Sequence, residues 1–160
     1  MCSIVLRAGY GWGDVGMMAA LAVAEALDGL GVPDVGIKWP NDVQIDGRKV
    51  CGVLPEAEWA GDVLIGMVIG IGINVRVDFA GSGLEDTAAN AEAPDRPIDR
   101  ARLLAAVLAR LDHWMPRLGS HGVFDSWRGR LNMLGRIVSL RQGDGQVSGM
   151  ALRVERDGAL

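Results

Sequence analysis

Apolar and polar residues alternate along this chain in two different rhythms. "SIVLRA", residues 3–8, is a short apolar run that predicts a strand. From Asp14 to about Leu30 the spacing changes. Met18, Leu21, Ala22, Ala24, Leu27 and Leu30 recur at three- and four-residue intervals, which predicts a helix with one face on the core. Asp14 stands where a cap belongs, and Gly31 with Pro33 stops the helix. Four runs of strand character follow: "VGIKW" ended by Pro40, "DVQI", "KVCGVLPEAEW" and "GDVLIGMVIGIGINV". The Asp46-Gly47 pair is a strong hairpin signal. Such short connections imply antiparallel neighbours. Pro55 is expected to fray the third of these strands.

The second half opens with a long polar surface loop, residues 78–98, whose length marks it as a candidate mobile or functional segment. Residues 99–115 predict a helix capped by Asp99 and stopped by Pro116, with an apolar stripe of Leu103, Leu104, Val107, Leu108, Leu111 and Met115. A second helical stretch runs from Val123 to Leu131. From residue 134 the pattern becomes short strands, with turns at Gly143–Gly145 and Asp157–Gly158. The expected fold class is α/β (α+β): a mixed, mostly antiparallel sheet backed by helices over residues 1–133, then a small β-subdomain over 134–160.

Composition narrows the setting. The 160 residues are 49% hydrophobic, enough for one packed core. A net charge of −4 argues against a nucleic-acid partner. The longest apolar run, Val63–Ile73, is too short for a membrane span and is broken by glycines, and no signal-peptide pattern is present. A cytoplasmic location is expected, with no membrane partner. Cys2 and Cys51 lack metal-ligand or disulfide spacing and read as reduced thiols. His113 and His121 are lone and near helix ends, which suits surface or packing roles, and Trp39 reads as core.

Three constellations could carry chemistry. The first is "KWPND" with "DGRKVCG". Lys38 and Lys49 flank a short hairpin, with Asn41 and Asp42 at its bend. Simple alternation puts Lys49, Cys51 and Val53 on one face, where the lysine either snorkels or meets an anion. The competing reading is a turn with solvated charges. The second is "GIGINV", Gly70–Val75. It lacks the third glycine and the helix of a dinucleotide fingerprint. Its glycines suit close approach by a ligand or another strand. Asn74 could pair with a nucleobase edge or with backbone. The third, "GYGWGDVG", has a glycine loop before a helix, but Asp14 would repel phosphate there, so an ordinary loop and cap is expected.

Taken together these residues resemble the biotin protein ligases. The pattern is KWPND, a hairpin, RK-[small]-G-[ILV]-L-x-E, then G-x-G-[IL]-N. It is met by Lys38–Asp42, Arg48-Lys49, Gly52-Val53-Leu54 with Glu56, and Gly70–Asn74. The helix "AALAVAEAL" and the segment "LGRIVSL…GQVSGMALRVERDGAL" also resemble that family, the latter its SH3-like small β-barrel. The resemblance implies a class II synthetase-like biotin/lipoate ligase fold and a two-step ATP-dependent reaction. Biotin and ATP, with Mg2+, give biotinyl-5′-adenylate, and the biotinyl group passes to a lysine of a carrier domain such as that of acetyl-CoA carboxylase. It implies Lys49 as the catalytic lysine at the biotin carboxyl and adenylate phosphate. Gly52 and Val53 would line the biotin pocket by backbone. Asn41 and Asp42 would hold the adenylate and its metal or receive the acceptor lysine, and Asn74 would read the adenine. Lys38 is either a further adenylate contact or an outward strand residue. No metal cage of protein side chains is implied.

The sequence departs from the family in one respect: it holds no Ser-Thr-Asn-like segment and no GRGRxG loop. Both ends read as abrupt. The expectation is an N-terminally truncated catalytic domain followed by an incomplete barrel, with weak or absent adenylate formation. The exposed sheet edge would favour aggregation or a homodimer. A non-catalytic remnant or mis-started fragment, and a lipoate-type ligase, are the alternatives.

Overall fold

The computed structural model describes residues 2–7, 12–143 and 145–160. The predicted glycine loop at residues 8–11 lies outside them. Two antiparallel sheets are present. The larger has strand order β1-β5-β4-β3-β2, formed by β1 (Cys2–Arg7), β2 (Val35–Lys38), β3 (Asp42–Ile45), β4 (Arg48–Ala60) and β5 (Val63–Ile73). The smaller pairs β6 (Ile137–Gln142) with β7 (Gly145–Met150). Three helices accompany them: α1 (Trp12–Gly29), α2 (Arg100–Trp114) and α3 (His121–Arg128). The expected mixed architecture is present; among the described residues β6 and β7 form an open ribbon, not a closed barrel.

The helix α1 is buried more completely than a one-faced pattern predicts. Every residue from Val15 to Ala24 is in the core, because the helix packs on the sheet and also against α2 and α3. Asp14 lies inside its first turn, not at the cap, where it still complements the helix dipole. Gly31, at φ +79°, ends it as expected. Asp99 caps α2 by accepting from the Arg102 N–H at 2.9 Å. The buried stripe of α2 is Leu103, Val107, Leu111 and Trp114, while Leu104 and Leu108 remain largely exposed. Trp127 of α3 is wholly buried.

The proline in β4 does not fray it. Pro55 pairs with Ile69 and is buried, its ring 3.6 Å from where a Cβ on Gly16 would stand. β3 pairs only with Arg48–Cys51 of β4. Beyond Cys51 that edge of β4 has no neighbour in the sheet, so the missing N–H leaves no ladder bond unmade there. The β2 edge is covered: Ile37 N–H donates to the Arg130 carbonyl, and Asn132 N–H donates to the Ile37 carbonyl.

The polar loop after β5 is stitched down. Asn90 uses its side-chain amide as a mimic of backbone, accepting from Val77 N–H and donating to the Val77 carbonyl, both at 2.9 Å. Ala91 N–H donates to the Asn74 carbonyl and Glu92 N–H to that of Val75. The Glu92 carboxylate accepts from Arg76 Nε at 2.6 Å and from Ile98 N–H at 3.3 Å. These bonds turn residues 87–92 into a strap along the ends of β4 and β5.

The Arg76 guanidinium, and next the Ile98 N–H, hold the Glu92 carboxyl below its ordinary value of 4.5. A depressed folded-state value means that the bracing is complete above the ordinary carboxylate range. It is lost as the pH falls through the lower native value. Amide protection factors at Glu92 and Ile98 should therefore be flat near neutrality and drop only below about pH 4.5. In Glu92→Gln they should be lower throughout, with no acid step. An identical acid step in that variant would show that another group braces the strap.

Candidate functional site

A single irregularity of the sheet builds the site. Val43 of β3 pairs with Cys51 of β4, but the next residue, Gln44, pairs with Lys49. Val50 is the extra residue of a β-bulge. Simple alternation, which would place Lys49 with Cys51 and Val53, is therefore overturned. Cys51 and Val53 face the helices and are buried. Lys49 lies instead over Gly52 on the open face, its Cε and Nζ 3.2 Å from the position a Cβ on Gly52 would take.

On that face Lys49 Nζ meets the Asp42 carboxylate at 2.7 Å, the two side chains being 47% and 30% exposed. Lys38 stands directly opposite Asp42 across the β2–β3 bend, so both project on the same side. Asn41, one residue earlier, turns its Nδ2 the other way and donates to the Val53 carbonyl at 2.9 Å. The bend thus grips β4 at two points: Asn41 by the backbone of Val53, Asp42 by the side chain of Lys49.

Beside Lys49 the floor is glycine backbone, bordered by the exposed side chain of Leu54. Gly52 pairs across the strands with Gly72, and Leu54 with Gly70. A Cβ on Gly72 would meet nothing within 4 Å. Glycine at these positions leaves backbone open to a ligand. Asn74 sits at the end of β5. Its Nδ2 donates to the Lys49 carbonyl at 3.3 Å and its N–H to the Val50 carbonyl at 2.8 Å. The strap completes the hold on Lys49, whose N–H donates to Thr87 O and whose carbonyl accepts from Ala89 N–H.

All the residues singled out in the sequence, Lys38, Asn41, Asp42, Lys49, Gly52, Val53 and Asn74, are brought to one end of the sheet. Val53 can offer a ligand only backbone, because its side chain is buried. Asn74 spends its side-chain donor on backbone, the second of the two uses open to it. Sequence reasoning missed the strap. The signal was the second amide, Asn90, four residues after Asp86 in a loop otherwise read as solvated.

Cys51 is a neighbour of the site without being a reactive one. Burial, and then the Asp42 carboxylate, push its thiol up to about 12 against the opposing pull of Lys49. It stays protonated near neutral pH and is no nucleophile. Among the described residues, no three His, Cys, Asp or Glu side chains gather as a metal cage. No described helix is long and apolar enough to cross a membrane.

Residues 13–74, the span from α1 to Asn74, match the profile of the Biotin/lipoate A/B protein ligase family. Over 158 residues the chain is 33% identical to the biotin–[acetyl-CoA-carboxylase] ligase of Mycobacterium tuberculosis, covering 93% of this chain and 56% of that protein. It is 30% identical over 150 residues to the bifunctional ligase/repressor BirA of Bacillus spizizenii, covering 90% of this chain and 46% of that relative. The chain thus spans about half the length of the curated relatives it matches. Among solved structures, the biotin protein ligase of Aquifex aeolicus in complex with biotin and ATP superimposes with a TM-score of 0.83 at 27% identity, covering 98% of this chain and 67% of that one. The matched span gives residues 13–74 the domain of the Biotin/lipoate A/B protein ligase family, and the chain shares the fold of the biotin protein ligases.

Proposed function

We propose that this chain carries the lysine-bearing wall of a biotin-activating site and serves the reaction of a biotin–[biotin carboxyl-carrier protein] ligase. The observation that carries this reading is Lys49, set by the bulge above a floor of glycine backbone and balanced by a single carboxylate. The names of the curated relatives and the biotin and ATP in the Aquifex aeolicus complex support the choice of substrates.

In the first step a biotin carboxylate oxygen attacks the α-phosphorus of ATP. Biotinyl-5′-adenylate forms and pyrophosphate leaves with the electron pair of the broken P–O bond. Negative charge builds on the phosphoryl oxygens as this occurs. Lys49 is placed to hold the incoming carboxylate and then that charge, over a surface where ligand can exclude water. In the second step the ε-amine of a carrier lysine attacks the acyl carbon and AMP leaves. Asp42, once Lys49 has turned to the substrate, is a free carboxylate at the same point and can take the proton that the amine loses. Asn41 holds the Val53 carbonyl and so fixes the backbone edge on which biotin rests. Asn74 and Lys38 border the adenylate side. The carrier domain of acetyl-CoA carboxylase is the acceptor in this reading.

The deciding experiment is titration of the chain with a non-hydrolysable biotinyl-5′-adenylate analogue, followed by calorimetry, with the lipoyl analogue as control. Saturable binding of the biotinyl compound is expected, with much weaker binding of the lipoyl one. Removing a charge-assisted partner costs about 1.5–3 kcal/mol, so Lys49→Ala should weaken binding by about tenfold or more. Any biotin-dependent ATP–pyrophosphate exchange should disappear with it. Equal affinity in Lys49→Ala would remove Lys49 from the role given to it.

Gly52 offers a second check. A methyl group there lands on the far end of Lys49, which is flexible, and on no backbone. The Gly52→Ala variant should keep its melting temperature within a few degrees, a shift of about 1 kcal/mol or less. It should lose roughly tenfold in analogue affinity, because the added Cβ displaces Lys49 from above the floor. A large fall in stability with affinity intact would mean that the glycine serves packing alone.

A further inference from the structure

The bend that bears Asn41 and Asp42 is held from below by a turn 119 residues away. Trp39 Nε1 donates to the Gly158 carbonyl at 2.7 Å. The receiving turn is closed on itself: Gly158 N–H donates to Glu155 O at 2.9 Å, Glu155 N–H to Ala159 O at 2.8 Å, and Ala159 N–H to the Asp157 carboxylate at 3.0 Å. It is also fixed to the helical layer. Arg156 donates to the Gly119 carbonyl at 3.0 Å and lies over the Phe124 ring. Gly158 itself sits at φ +86°, a backbone conformation that L side chains rarely adopt, and a Cβ there would stand 3.3 Å from Met17 Cε. Between bend and turn is a cavity of about 150 Å³, walled by Gly16, Trp39, Asn41, Pro55, Trp127 and Gly158 among others.

A bend over a cavity is supported by few contacts, so each one matters. Above the cavity the bend reaches the site by two polar contacts, Asn41 to Val53 O and Asp42 to Lys49 Nζ. Below it, the indole N–H is the polar contact to the turn. We propose that Trp39 is a positioning residue, through which the docked turn at residues 155–159 sets the place of Asn41 and Asp42, and through Asp42 that of Lys49. The linkage stands on the contacts alone; its consequence for ligand rests on the function proposed above.

The test uses two variants that approach the joint from opposite ends. Trp39→Phe keeps an aromatic ring, though a smaller one, and removes the donor; Gly158→Ala disturbs the turn without touching the bend. Trp114→Phe, which removes a different indole N–H, the one given to Glu25, is the control. Amide hydrogen exchange is read at residues 41–42 and 157–160, and affinity for the biotinyl-adenylate analogue is measured beside it. Loss of one neutral hydrogen bond predicts about fivefold to tenfold faster exchange at both segments in both variants, and a similar loss of affinity. The control should leave both segments and the affinity unchanged. If each variant speeds exchange only in its own segment, and residues 41–42 keep their wild-type rate, the joint is packing and the proposal falls. If the two segments respond together but the wild-type chain binds no analogue, the linkage holds and the proposed function falls instead.

Discussion

The bulge at Val50 decides which side of the sheet Lys49 faces, and the site depends on that choice. In a regular ladder, a lysine two residues before a buried cysteine would point at the helices. Burying an ammonium there without a partner would cost several kcal/mol. One extra residue turns the same sequence so that Val50 and Cys51 enter the core and Lys49 comes out over Gly52. Bulges re-aim side chains in this way at the margins of sheets. Here the irregular residue is itself used, since its carbonyl accepts from Asn74 and so ties the end of β5 to the bulge.

With Lys49 outside, its pairing with Asp42 is weak enough to be exchanged. A half-exposed lysine–carboxylate pair contributes about 0.2–1 kcal/mol. A ligand that brings its own carboxylate or phosphate onto the glycine floor can replace Asp42 at little cost, and until then the pair neutralises Lys49. A buried pair would have given a stiffer lysine but a high barrier to that exchange. The backbone of Lys49 is held much harder than its ammonium. The strap bonds to its N–H and carbonyl, and Asn74 to the same carbonyl, so the side chain moves on a fixed base.

Much of this arrangement was legible in the sequence. The order of elements, the Asp46-Gly47 hairpin and the Asp99 cap follow from spacing and turn chemistry, while the convergence of Lys38, Asn41, Asp42, Lys49 and Asn74 was implied by the family resemblance. What was not legible has one physical origin: it depends on contacts between residues far apart in the chain. Alternation is a local rule and cannot register a bulge set by the pairing of β3 with β4. Pro55 looked disruptive because the sequence does not show that the pairing of β3 along β4 stops at Cys51. The one-sided reading of α1 failed because periodicity does not count how many elements will pack on a helix. Asn90 read as solvated because its partner is the backbone of Val77, thirteen residues earlier.

The polar residues at the bend answer to two demands at once, and this explains why Asn and Asp stand side by side there. The turn at residues 39–41 sends the side chains of Asn41 and Asp42 to different partners. Asn41 turns to β4 and satisfies a backbone carbonyl, which an amide does without bringing charge beneath the sheet. Asp42 turns to the open face, where a charge is tolerated by solvent and needed by Lys49. Exchanging the two residues would put the carboxylate against the Val53 carbonyl, acceptor against acceptor, and leave the ammonium facing a neutral amide. The order Asn-Asp is therefore dictated by the sheet: one residue holds the wall in place, and the next sets the charge in front of it.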